Sequence, residues 1–148
     1  MGHECQGGME YTAQTTAEEH LKQLMDKLGY YQEIQERLEA HRAARQILAK
    51  YAYVDDLEEA IDILEHQDPV HTQEGPRLHA VLLGEKRDSL GRERARFEHD
   101  LQRSRFGTVA EASRACLSDQ EVKRYEDELN SYREDYAFTL AKCQAGIA

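Results

Sequence analysis

With 148 residues, 40% of them apolar, 32% charged and none of them Trp, the chain is long enough for one core but lean in the side chains that fill it. No apolar run reaches the length that crosses a bilayer, and no charged-then-apolar leader opens the sequence. A formal net charge of −10 argues against binding to nucleic acid or to anionic membranes, whose phosphates it would repel.

Residues 1–14 lack periodicity and read as a flexible tail ahead of a single helical domain over residues 15–148. Met9 is an alternative start. Gly2 would invite myristoylation, but Gln6 stands where that signal needs Ser or Thr. The first helix is predicted from Thr16, whose hydroxyl and Glu19 form a capping box. Leu21, Leu24, Met25 and Leu28 then line one face, with Gly29 as the stop. A second helix follows from about Tyr31, with Ile34, Leu38, His41, Leu48 and Tyr51 as its stripe. A bend near residues 52–55 is expected before Val54, Leu57, Ile61 and Leu64 renew the pattern.

Residues 67–76, QDPVHTQEGP, hold both prolines and form the one clear loop. A third helix should run from Arg77 to Ser104 on Leu78, Leu82, Leu83, Leu90, Phe97 and Leu101. Gly84 and Gly91 lie inside it and suit either a close helix approach or a kink. Thr108 with Glu111 opens a short helix, and Ser118 with Glu121 opens the last long one. Only two prolines and a wealth of Ala, Leu, Glu, Gln, Lys and Arg complete an all-α reading, a bundle or set of long hairpins with four to five helices.

In the last helix Val122, Tyr125, Leu129, Tyr132 and Tyr136 follow a heptad, the spacing of a coiled-coil seam. A tyrosine needs a partner or water for its hydroxyl, so the stripe suits a partly wet boundary, either within the chain or toward a partner or second copy. Charge adds a second feature. Residues 10–75 carry 15 acidic and 6 basic side chains, whereas residues 76–106 carry 5 and 8. Six arginines lie between residues 87 and 105, and the Arg92, Arg96 and Arg103 side is a second candidate surface, unless the basic helix only complements acidic ones in the same fold.

His66, His71 and His79 surround the loop and have metal-ligating chemistry, but no H-x-x-x-H or E-x-x-H pair accompanies them, and no cofactor is expected. Residues 108–129 have a helix-turn-helix outline, yet Lys123 and Arg124 face Glu121, Glu126, Asp127 and Glu128, a poor balance for phosphate. No G-x-S-x-G and no phosphate loop occurs, so a non-enzymatic role is expected. Cys5, Cys116 and Cys143 make an odd set without C-x-x-C, which fits reduced thiols in a cytoplasm.

Two stretches, AEEHLKQLMDKLGYYQEIQERLEAHRAARQILAKY and CLSDQEVKRYEDELNSYREDYAFTLAKC, resemble the small helical bacterial regulators of the YlbF/YmcA type. The resemblance covers under half of the chain and implies a regulator that acts with partner proteins. Residues 54–106 have no counterpart in it. Three functions stay open. One is an interaction protein that docks a partner protein, or a second copy, through Tyr125, Leu129, Tyr132 and Tyr136 or through the arginines. Another is an acidic inhibitor that mimics nucleic acid with Asp55, Asp56, Glu58, Glu59, Asp62, Glu65 and Asp68. The last is a metal protein built on the histidines.

Overall fold

The computed structural model describes residues 16–68 and 75–147, and the predicted flexible tail lies outside them. Five helices and no strand occur among the described residues: α1 (16–26), α2 (Leu28–His66), α3 (Gly75–Arg103), α4 (Val109–Ala115) and α5 (Asp119–Ile147). The all-α expectation is met.

Both later capping boxes are formed. Thr108 accepts from the Glu111 N–H at 3.1 Å, and the Glu111 carboxylate reaches back to the Gly107 N–H at 2.8 Å. Ser118 accepts from the Glu121 N–H at 3.1 Å while its own N–H faces the Glu121 carboxylate at 3.5 Å. Each pairing satisfies amide donors that a helix start leaves open. The beginning of α1 lies outside the described residues, for residue 16 is already helical.

Gly29 does not stop a helix. The interruption is one residue, Lys27, whose N–H tightens onto the Leu24 carbonyl at 3.2 Å and whose carbonyl already accepts from Tyr31 at 3.2 Å. No glycine among the described residues takes a positive φ, so the left-handed turn that a glycine stop requires is absent. The expected bend at residues 52–55 is absent too. α2 runs 39 residues without a break, about 58 Å, because Val54 and Leu57 keep a buried stripe through that segment.

The described residues form two compact units: 16–39 together with 117–147, and Ala40–Cys116. α2 contributes to both. In the first unit Ile34 and Leu38 pack with Tyr125 and Leu129, flanked by Tyr31, Leu117 and Val122. In the second, Ala44, Ile47 and Val54 of α2 meet Phe97 of α3, Phe106 and Ala112 of α4. Ala44 and Ala112 are fully buried, small enough to let α2 and α4 pack closely.

Gly84 and Gly91 serve neither of the predicted purposes. A methyl group built on either would meet no neighbour within 4 Å, and α3 runs through both. Each therefore carries only the entropic penalty of glycine in a helix. Gly84→Ala and Gly91→Ala are expected to stabilise the chain by about 0.5–1 kcal/mol apiece. Urea unfolding midpoints that rise and add in the double variant would bear this out. A fall in either would mean that the glycine is needed for packing.

Candidate functional site

The tyrosine stripe of α5 is internal to the first unit. Tyr125, Leu129 and Tyr132 are each 7% exposed, and the stripe continues inward through Thr139 and Cys143, with Leu140 only half-buried. The hydroxyls find partners as burial demands. Tyr132 donates to the Leu24 carbonyl at 2.6 Å, and Tyr125 accepts from Arg37 at 3.2 Å. The Tyr132 ring stacks on Tyr31 with centroids 3.9 Å apart, Tyr30 meets Tyr31 edge-on at 5.1 Å, and Tyr136 leans toward Tyr132 at 6.0 Å. Burial among these rings raises the Tyr132 pKa above its ordinary value. As a docking face the stripe is thus corrected: Tyr125, Leu129 and Tyr132 have no surface left to give a partner, and Tyr136 is half-buried beside them.

From Arg87 onward the arginines of α3 separate into two sets. Arg87 donates to Glu65 at 2.6 Å and Arg94 pairs with Glu58, both across to α2. Lys50 of α2 reaches Asp100 of α3 at 2.7 Å and holds that carboxyl below its usual range. These contacts make the basic helix a complement of the acidic one. Arg92, Arg96 and Arg103 point elsewhere. Their spacings of four and seven put them along one exposed side of α3, where Arg92 donates to the Ser89 hydroxyl at 3.4 Å and Arg96, 72% exposed, to Glu93 at 3.2 Å.

The three cross-pairs also set the register of α2 and α3. Residue numbers joined across them total 150 to 152, so His66, the last residue of α2, lies level with about residue 86 of α3. The first ten or so residues of α3, about 15 Å of helix, run past the end of α2. Val109, Ala112 and Ala115 of α4 pack in the same cluster as Ala43, Ala44 and Ile47 of α2. On the overhang Leu78 is 64%, Val81 56% and Leu82 42% exposed. The inward placement expected for Leu78 and Leu82 is overturned, and Val81 joins them.

Leu78, Val81 and Leu82 lie on the same side of α3 as Arg92, Arg96 and Arg103, at whole numbers of helical turns. The helix thus presents an outer face that is aliphatic at its N-terminal end and basic at its C-terminal end. Sequence periodicity alone assigns the leucines to the core, because it cannot supply the register that leaves them uncovered.

Of the three candidate histidines, only His66 and His79 fall among the described residues. His71 lies outside the described residues, and no group of three or more metal-ligating side chains occurs among the described ones. His66 instead donates from Nδ1 to the Asp62 carbonyl at 2.7 Å and lies 3.4 Å from its carboxylate, and these contacts raise its pKa above the usual value. A protonated imidazole also suits a helix C-terminus. The stabilisation is therefore complete below the unfolded pKa and is lost as pH rises through the folded one. A proton resonance titration of His66 is expected to fall above that of a free histidine; a midpoint at or below the free value would remove the contact. Among the acidic residues, Glu58 and Glu65 pair with Arg94 and Arg87 and Asp62 lies beside His66, while Asp55, Asp56, Glu59 and Asp68 stand exposed.

Two open grooves among the described residues are lined largely by paired charges. One, of about 350 Å³ in the first unit, has Arg37 held by Glu33 and Tyr125 and Arg124 lying 4.9 Å over the Tyr125 ring. The other, of about 440 Å³ in the second, has Phe97 below Lys50–Asp100 and Arg96–Glu93. Cys143 is buried and Cys116 half-buried, both as free thiols. No helix is long and apolar enough to cross a membrane among the described residues. No family model matches the chain, and comparisons with characterised proteins and with solved structures find no match.

Proposed function

We propose that this chain is a non-enzymatic helical interaction protein that docks a helix of another protein on the outer face of α3. The observation that carries the proposal is the overhang: Leu78, Val81 and Leu82 stand exposed within about one turn of α3, on the stretch that runs past the last residue of α2. Aliphatic side chains grouped on a helix face without cover are a recurring mark of a contact surface. A partner that covers them gains roughly 25 cal/mol per Å² of apolar area removed from water. The tyrosine stripe then has a structural duty, to close the first unit. A regulator of this kind has the sense implied by the YlbF/YmcA resemblance, with the docking face placed in the region that the resemblance does not reach.

The test is affinity capture from the native host with the wild-type chain and with Leu78→Asp/Leu82→Asp. Both positions are exposed, so the variant should keep the wild-type helical dichroism. Loss of the captured protein by about tenfold or more is the expected result. Capture at wild-type levels would mean that the contact lies elsewhere.

A further inference from the structure

We infer that the occupant of this face is an acidic amphipathic helix, its apolar residues seated on Leu78, Val81 and Leu82 and its carboxylates ranged along Arg92, Arg96 and Arg103. The inference rests on the docking function above and adds the chemistry of the partner.

The argument starts from which cations the fold uses. Arg87 and Arg94 are neutralised by Glu65 and Glu58 across the α2–α3 contact. Arg92, Arg96 and Arg103 are exposed and, among the described residues, make no ion pair to α2: Arg92 donates to the Ser89 hydroxyl, Arg96 pairs with Glu93 of its own helix at the rim of the second groove, and Arg103 lends charge to Asp100. In a chain of net charge −10, residues 76–106 carry 8 basic and 5 acidic side chains, a local reversal of sign to which these three exposed arginines belong. Such a row attracts carboxylates and repels cationic segments. Glu85 and Asp88 stand exposed between the aliphatic and basic ends. They confine the partner's carboxylates to the Arg92–Arg103 half and so fix the direction in which it lies. The surface from Leu78 to Arg103 is a line about 38 Å long parallel to the axis, the shape of a helix of comparable length.

A second copy of this chain fits that line badly. Two antiparallel α3 helices would set Leu78 against Arg103, and two parallel ones would stack arginine on arginine. Contact through the aliphatic trio alone falls well short of the roughly 800 Å² per partner of a stable interface.

The test uses the full chain and two synthetic helical peptides of about 28 residues. Both carry the same leucine stripe at one end; one bears glutamates and the other lysines along the rest of that face. Fluorescence anisotropy at low salt is expected to show the acidic peptide binding at least about tenfold more tightly, with the preference collapsing near 0.5 M salt. Arg92→Glu/Arg96→Glu/Arg103→Glu should reverse the preference. Equal binding of the two peptides, or binding of neither, overturns the acidic helix. If Leu78→Asp/Leu82→Asp still abolishes capture of the native partner in that case, the docking function stands without it. A doubled mass in sedimentation equilibrium that the same leucine substitutions abolish would make a second copy the occupant and overturn the inference.

Discussion

Tyr132→Glu is expected to unfold the first unit rather than to release a partner. The substitution places a carboxylate where a 7% exposed ring stacks on Tyr31, and it leaves the Leu24 carbonyl without its 2.6 Å donor. Lost aromatic packing costs about 3–5 kcal/mol, and an unpaired buried charge adds to it. That is a large share of the roughly 5–15 kcal/mol that holds an ordinary domain folded. Circular dichroism and urea unfolding should show a steep loss of helix. A fully helical variant whose solution mass has merely fallen would return the stripe to the role of an interface. Tyr132→Phe separates ring from hydroxyl, with an expected cost of about 1 kcal/mol for the hydrogen bond alone. The raised pKa gives an independent reading. A tyrosine that holds its proton more tightly when folded contributes stability below its ordinary titration range, and that stability is lost as pH rises through the raised value. The wild-type chain should therefore weaken above about pH 10 more than Tyr132→Phe does.

The second large effect belongs to the other unit. Phe97 is 8% exposed and joins α3 to the Ala44, Ile47 and Val54 side of α2, with Tyr51 tilted against it at 5.6 Å. Phe97→Ala should cost about 3–5 kcal/mol, read as a lower urea midpoint. Tyr51→Ala, at a ring 44% exposed, should cost a good deal less. Equal losses from the two would mean that Phe97 is not part of the core.

Local chemistry was the legible part of this fold. The spacing of three between Thr108 and Glu111, and between Ser118 and Glu121, carries its own geometry, and both boxes form. The α5 heptad was readable as a stripe because its periodicity is internal to one helix. What covers that stripe was not readable, since Leu24, Tyr31, Ile34 and Leu38 come from almost a hundred residues earlier. Gly29 misleads because glycine permits a left-handed turn without compelling one. The candidate site was hidden for a related reason. Leu78 and Leu82 share the spacing of core residues, and only the pairs Lys50–Asp100, Glu58–Arg94 and Glu65–Arg87 reveal that α3 slides past the end of α2. The arginine row was visible in the sequence, but not that Arg87 and Arg94 pair across to α2 while Arg92 and Arg96 find their contacts on α3 itself.

Hydroxyl-radical footprinting of the chain, free and bound to its captured partner, tests the docking surface most directly. Side-chain oxidation at Leu78, Val81 and Leu82 should drop sharply on binding while exposed Phe138 of α5 stays as reactive as before. Protection of Phe138 with the three aliphatic residues of α3 unchanged would contradict the account.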